Sequence, residues 1–266
     1  MDLSKLALEF VLFAFALNLS IKYRKVKINQ YLLWIVTIGT LITNTALFYL
    51  NIDFMTMAYY SKVSQFQKYV LINIEITKWT TLSYVITRFN LSVNDRVASN
   101  IGFVINDGNF NFLKSLAIGL IAAIIAAIGV YFVPFVYYWT GIINVNPMKL
   151  IQPIVESMRQ FAFFGGIRNL FGEEIIARLG VQTLILYYLG DRKYHVSIAI
   201  ILSSFFFFLW HDGIGNLNPS NFIASLIFGI VYSKYKYETA AIAHCLTDWI
   251  AYLVFPLVFP LLLSLK

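Results

Sequence analysis

Ser115 to Trp139 reads SLAIGLIAAIIAAIGVYFVPFVYYW, a stretch without one charged residue. A hydrocarbon core about 30 Å thick is crossed by about 20 apolar residues in a helix, so this stretch is long enough to span a bilayer. Between Ile118 and Gly129 its small residues, Gly119, Gly129 and the alanines, are expected to permit close helix packing.

Windows of the same length and character recur on both sides of it. The length rule yields about eight spans: Leu3 to Ile21, Tyr31 to Leu50, Phe66 to Phe89, Ser115 to Trp139, Arg168 to Leu189, Val196 to His211, Asn221 to Lys234 and Glu238 to Leu263. The expected fold is therefore all-α, a polytopic transmembrane helical protein whose helices enclose a polar cavity. Gln65, Lys68, Glu75 and Lys78 put a polar stripe on the third span that would also suit an interfacial helix. Gly165 and Gly166 close the half-length run Pro153 to Phe164 and are expected to mark a break or a re-entrant point. Asn90 to Asn111, with turn signals at Asn94-Asp95 and Asp107-Gly108-Asn109, reads as a loop dividing an N-terminal module, residues 1–111, from a C-terminal core, residues 112–266.

Composition agrees: of 266 residues 59% are hydrophobic and 12% charged, against about 45–50% and about 25% in soluble domains. The formal charge of +7 does not point to nucleic acid, because the basic residues sit in short clusters between apolar runs, as topology signals and contacts to anionic headgroups do. Those clusters are Lys22 to Lys27, then Arg88, Arg96 and Lys114, then Arg192 and Lys193, then Lys234 and Lys236. They fall in alternate loops, which are expected to be cytoplasmic, with both termini outside. The basic cluster follows the first span rather than preceding it, the reverse of a cleavable signal peptide, so that span is expected to be retained. A single cysteine, Cys245, excludes an intrachain disulfide and a Cys-based zinc framework. Its neighbour His244 does not make it a thiol nucleophile, since adjacent helical positions point about 100° apart.

Ionisable side chains at bilayer depth are costly and need a partner or a function. They concentrate in Phe171-Gly172-Glu173-Glu174-Ile175-Ile176-Ala177-Arg178, in Phe207-Phe208-Leu209-Trp210-His211-Asp212 and in His244-Cys245-Leu246-Thr247-Asp248. Glu174 and Arg178 are four apart and meet on one helical face; Glu173 lies about 100° around and is free to face a polar cavity, where it could act as a general base. His244 and Asp248 also share a face, and can reach one another or one substrate atom. His211 ends its run just before a turn, at the mouth of a cavity, and the Gly213 to Ser220 segment is a candidate rim. His195, beside Arg192 and Lys193, reads as plain surface.

Glu-Glu-x-x-x-Arg, then Phe-x-x-x-His, then His-x-x-x-Asp in order on successive apolar helices resembles the CAAX protease and bacteriocin-processing family, which includes the type II CAAX prenyl endopeptidases, intramembrane glutamate proteases. The resemblance runs from Glu173 through Asp248 and takes in Phe228-Gly229. It implies a catalytic Glu173, a His211 that helps activate water, an oxyanion-stabilising pair in His244 and Asp248, and a supporting pair in Glu174 and Arg178. The family often has Asn at the position of Asp248, and an ionised aspartate cannot donate to an oxyanion; either Asp248 is protonated or it orients His244.

The set suffices for peptide hydrolysis without a metal, so no cofactor is expected. Two histidines and a glutamate could also hold zinc, but nothing resembles the His-Glu-x-x-His helix of zincins. The expected function is an intramembrane endopeptidase in a multi-pass membrane protein, with a protein or peptide substrate, a lipidated one included, and the lipid bilayer as partners, and no nucleic acid. The alternative is a non-catalytic immunity or partner-binding protein on the same scaffold. An ion or proton-coupled transporter ranks third, lacking paired broken helices. The blander readings are a buried ion pair for Glu174 and Arg178, a second partner to Arg178 or Arg168 for Glu173, an interfacial histidine for His211 and a local bridge for His244 and Asp248. One tension stands: Glu173 lies about 25 Å from Gly190 at about 1.5 Å per residue, far from a basic face taken as cytoplasmic.

Overall fold

A computed structural model describes residues 3–50, 64–97, 102–103, 110–142, 144, 162–212 and 219–254. Among these residues every regular element is helical. In chain order they are α1 (Leu3–Lys22), α2 (Gln30–Leu50), α3 (Gln65–Val93), α4 (Phe112–Trp139), α5 (Ala162–Leu170), α6 (Thr183–Leu189), α7 (His195–Asp212) and α8 (Ser220–Trp249). A π-helical stretch, Ile175–Gln182, leads into α6, and another, Ile250–Val254, follows α8.

Residue types set the helix starts and faces. Ser64 and Gln67 close a reciprocal capping box at the start of α3, and the Asn111 side chain accepts from the Lys114 backbone N–H at the start of α4. On α4 the small residues Ala122, Ala123, Ala126 and Ala127 are buried, whereas Leu120, Ile121, Ile124, Ile125 and Ile128 are 44–61% exposed. That is small-in, large-out, the reverse of a water-soluble core helix and the pattern of a helix that packs backbone to backbone while facing lipid. α8 is the main neighbour of α4; a β-carbon on Gly119 would sit 2.8 Å from Ile242 Cγ2, closer than atoms pack. Gln30–Tyr49 and Phe112–Trp139 are each long and apolar enough to cross a membrane, and His195–His211 is a shorter apolar helix.

Several expectations change. The span Arg168 to Leu189 is not one helix: α5 ends at Leu170, Phe171-Gly172 turns, and the chain resumes as the π stretch. Gly165 and Gly166 do not break anything, because α5 runs through them. Gly166 instead admits Trp249, whose indole nitrogen would lie 2.5 Å from a β-carbon there. The run from Pro153 falls outside the described residues up to 161. Asn90 to Val93 are the last turn of α3 rather than loop, with side-chain donors that find partners inside: Asn90 Nδ2 donates to Thr183 Oγ1 (3.0 Å) and Ser92 Oγ to the Arg88 carbonyl (2.7 Å). At the Glu75–Lys78 end of the polar stripe on α3, Lys78 pairs with Glu9 of α1 (3.1 Å) and with Glu75 of its own helix (2.8 Å).

The last two expected spans are one continuous element in name only. Lys236 holds a left-handed backbone (φ 66°, ψ −174°), unfavourable for a residue with a β-carbon and incompatible with a continuing helix. Phe228 and His244 lie eight residues on either side, about 24 Å apart in a straight helix, yet their rings stack at 4.7 Å. The chain therefore doubles back at Lys236, and the Tyr237 N–H bonded to the Gly102 carbonyl (2.9 Å) anchors the reversal.

Candidate active site

The turn at Phe171-Gly172 and the reversal at Lys236 bring α5, the π stretch, the end of α7 and both arms of α8 to one place. Glu173 leaves the turn between the Arg168 guanidinium and the His211 imidazole. Its Oε1 accepts from Arg168 Nη1 (3.2 Å) and its Oε2 lies 3.0 Å from His211 Nε2 and 3.9 Å from His244 Nε2. Glu173 is therefore not the free carboxylate that helical spacing suggested. α5 and the turn after it fold Arg168 back onto it, a partner the sequence offered only as the bland alternative.

Glu174 points the other way, into a layer without solvent. Its Oε2 accepts from Arg178 Nε (3.0 Å) and its Oε1 from His244 Nδ1 (2.9 Å); Glu174 and Arg178 are 0% exposed. Arg178 uses all five of its N–H donors: Nη1 bonds Gln182 Oε1 (3.2 Å) and Ser203 Oγ (3.3 Å), and Nη2 bonds the Ser225 carbonyl (2.9 Å) and Ser225 Oγ (2.6 Å). The widened π turn is part of this arrangement, for Thr183 donates both its N–H and its hydroxyl to the Arg178 carbonyl five residues earlier. Gly229 is small for the same reason: a β-carbon there would meet Arg178 Nη1 at 3.2 Å and Gln182 Oε1 at 3.3 Å. Gln182 Nε2 in turn donates to the Gly229 carbonyl (3.2 Å) and Ser233 Oγ (2.9 Å).

Both imidazoles have their orientation fixed by an acceptor. His211 Nδ1 is 3.0 Å from the Phe207 carbonyl, which only accepts, so Nδ1 carries a proton and Nε2 faces Glu173. His244 Nδ1 faces the Glu174 carboxylate and likewise turns Nε2 toward Glu173. Phe207 stacks obliquely on His211 (4.1 Å) and Phe228 on His244 (4.7 Å).

His244 and Asp248 share an arm of α8 but not a bond. Asp248 Oδ2 accepts from Asn169 Nδ2 (2.7 Å), while His244 is oriented by Glu174. Of the two expected roles for Asp248, no hydrogen bond to His244 accompanies the orienting one; Glu174, in its supporting place beside Arg178, orients His244, and the turn delivers Asn169 to Asp248. Asn169 escaped the sequence reading because, beside Arg168, it ends a short apolar helix outside the Glu-Glu motif; two adjacent polar residues there were the available signal. His195 lies apart, bonded through Nδ1 to the Arg192 carbonyl (2.8 Å). Cys245 is buried. Of the candidate rim, residues 213–218 fall outside the described residues.

A second charged cluster adjoins the first. Glu9 of α1 accepts from the Trp210 indole N–H (3.0 Å) and pairs with Lys78. Trp210 stands edge-on to His211 (4.7 Å), and its neighbour Trp79 carries the Arg168 guanidinium over its face at 4.4 Å. Two tryptophans thus separate the Glu9–Lys78 pair from Arg168 and His211, which hold Glu173. Among the described residues no three His, Cys, Asp or Glu side chains are grouped as a metal site.

Residues 157–250 match the family described as type II CAAX prenyl endopeptidase Rce1-like. The matched segment contains Glu173, Glu174, Arg178, His211, His244 and Asp248, so the resemblance carried by the three motifs holds, and at the level of the family it is to a CAAX-type protease that acts on protein substrates. Neither the curated proteins nor the solved structures give a match.

Proposed function

We propose that this chain, similar over residues 157–250 to the type II CAAX prenyl endopeptidases, is a multi-pass intramembrane endopeptidase that uses Glu173 and His211 to activate water. The observation that carries the reading is the placing of the Glu173 carboxylate between Arg168 and His211 with His244 Nε2 3.9 Å away, while Glu174 is locked by Arg178. Adjacent glutamates are thus given different work.

In the reaction, Glu173 removes a proton from water and the resulting hydroxide attacks the scissile carbonyl. His211 assists from the other side of the carboxylate, its Nδ1 proton held on Phe207 so that Nε2 does the work. When doubly protonated, His244 donates from Nε2 to the tetrahedral oxyanion, and the Glu174 carboxylate beside Nδ1 compensates the charge. Asn169 and Asp248 form the adjacent polar wall. Glu173, now protonated, returns the proton to the leaving amine. The reaction takes no metal in this reading, and a lipidated C-terminus is one substrate that such a site could cut. Residues 112–266 form the catalytic core and residues 1–111 a module that braces it through Glu9 and Trp79. The partners are a protein or peptide and the surrounding bilayer.

The test is cleavage by detergent-purified wild type and Glu173→Gln, each checked for fold, on a farnesylated CAAX peptide and a mixed peptide library, with and without a chelator, read by mass spectrometry. Wild-type cleavage that survives the chelator and disappears in Glu173→Gln is the expected result. Equal cleavage by the two proteins would remove Glu173 from the mechanism, and a wild type inert on every peptide would turn the reading toward a binding scaffold.

A further inference from the structure

We infer that the site opens at the membrane face opposite the chain's Lys/Arg-rich end, so that its substrate is a peptide segment presented on the non-cytoplasmic side rather than a C-terminus held at the cytosolic leaflet. The inference rests on the reading of the chain as a membrane protease and concerns which way that protease faces.

The basic clusters, separate in sequence, are gathered at one end of the molecule by direct contacts. Tyr23, between Lys22 and Arg24, shares a hydrogen bond with Tyr187 (2.6 Å), which brings the end of α1 to the end of α6, just before Arg192 and Lys193. The Arg96 guanidinium lies over the Tyr23 ring at 4.7 Å, and Arg88 Nη2 donates to the Arg24 carbonyl (3.4 Å), which adds the end of α3. The reversal at Lys236 points toward the same end: the Tyr232 hydroxyl, four residues before it, bonds Thr183 Oγ1 (2.8 Å) and accepts from the Gly102 N–H (3.2 Å). α2, α4 and α7 run away from that end, and in the sequence after them the basic residues before the next described helix are only Lys62, Lys149 and Arg159. Lysine and arginine in short loops stay on the cytoplasmic side, so the gathered end is cytoplasmic, where it also meets anionic headgroups.

The site is far from that end by three independent helices. His211 is about 24 Å along α7 from His195, Glu9 about 20 Å along α1 from Lys22, and Trp79 about 21 Å along α3 from Val93, at about 1.5 Å per residue. Glu9, Trp79, Trp210 and His211 form one contact group, so these lengths measure the same depth. In a core about 30 Å thick they leave the reacting groups about 10 Å or less from the far face. His211 is the last residue but one of α7, and its exposure is in keeping with a site reached from there. A water and a peptide arriving from the basic end would have to pass the closed Arg178 layer, whose groups are buried and hydrogen-bonded throughout.

Two single-cysteine proteins in a Cys245→Ala background decide the orientation without any need for activity. Lys25→Cys marks the basic end and Thr140→Cys, on an exposed residue just past α4, marks the site end. In intact bacterial cells treated with a membrane-impermeant maleimide, Thr140→Cys is expected to label and Lys25→Cys to label only after permeabilisation. The reverse pattern would overturn the inference and leave the protease reading intact. With the wild type in membrane vesicles, the mixed peptide library added outside is expected to be cut at least about 10-fold faster by right-side-out than by inverted vesicles. Cleavage confined to inverted vesicles would overturn the inference as well. If labelling follows the expected pattern but neither kind of vesicle cuts, the orientation stands and the protease reading fails.

Discussion

Glu173 and Glu174 are neighbours in the chain and opposites in the fold. Glu174 belongs to a layer in which charge, geometry and hydrogen bonds close on themselves: its partner Arg178 satisfies every donor and neither residue is exposed. Glu173 belongs to a layer left partly open, with side-chain exposures of 14% for itself, 18% for Arg168 and 23% for His211, and with the Arg168 Nε buried and unpartnered among the described residues. A closed ionic layer fixes positions and cannot react without losing the fold. An under-bonded one can exchange a partner for water or substrate at little structural cost. The two layers share His244, whose Nδ1 sits in the closed one and whose Nε2 faces the open one.

The contrast can be broken from either side. Glu173→Gln should lower turnover by about 10³-fold or more, in the range of a lost general base, with the thermal midpoint in detergent unchanged; a large loss of stability would place Glu173 in the closed layer instead. Arg178→Met should do the opposite, destabilising by about 3–5 kcal/mol because it leaves the Glu174 carboxylate buried without its guanidinium partner, only His244 remaining beside it, as read by thermal or denaturant unfolding. If that protein stays fully stable, the layer is less closed than its geometry shows. His211→Gln should cost about 10²-fold in kcat with KM nearly constant, and a change confined to KM would make His211 a binding group.

Smaller effects sharpen the boundary between the two layers. Trp210→Phe keeps an aromatic ring against His211 but loses the N–H bonded to Glu9, a bond worth about 1 kcal/mol; kcat should fall roughly 5-fold, and adding Glu9→Leu should cost little more, since both remove the same contact. Full additivity would show that Glu9 acts elsewhere. Exchanging the two ends of one hydrogen bond, Asn169→Asp with Asp248→Asn, should restore most of the activity that Asn169→Asp loses alone, where two carboxyl groups would face each other. Failure of the exchange would tie the amide to one specific position.

Much of this was legible in the sequence because membrane chemistry is a local matter. A charge-free run long enough to span, small residues on one face of α4, and ionisable residues where apolar ones should stand are all properties of a few adjacent residues. The Glu174–Arg178 contact is likewise local, four residues on one helical face, and it survives the change from α to π geometry. The continuity of the segment from Arg168 to Leu189 was misjudged for a reason that is also clear. Hydropathy counts apolar residues and is blind to the turn at Phe171-Gly172, where the chain gives up helical bonds to present two glutamates in different directions. Gly166 looked like a break because a glycine's sequence does not say whether it bends the backbone or makes room for a Trp249 arriving from 83 residues away.

The sequence by itself determined an all-helical membrane chain, the ionisable residues that such a chain cannot carry idly, and the order of the motifs. Only the tertiary structure decided how those residues pair: Glu173 with Arg168 and His211, Glu174 with His244, Asp248 with Asn169. The physical reason is range. Span length and helical faces follow from residues a turn or two apart, but a hydrogen bond between residues 38 or 79 positions apart depends on where the chain turns, and those turns lie at Phe171-Gly172 and at a single left-handed lysine.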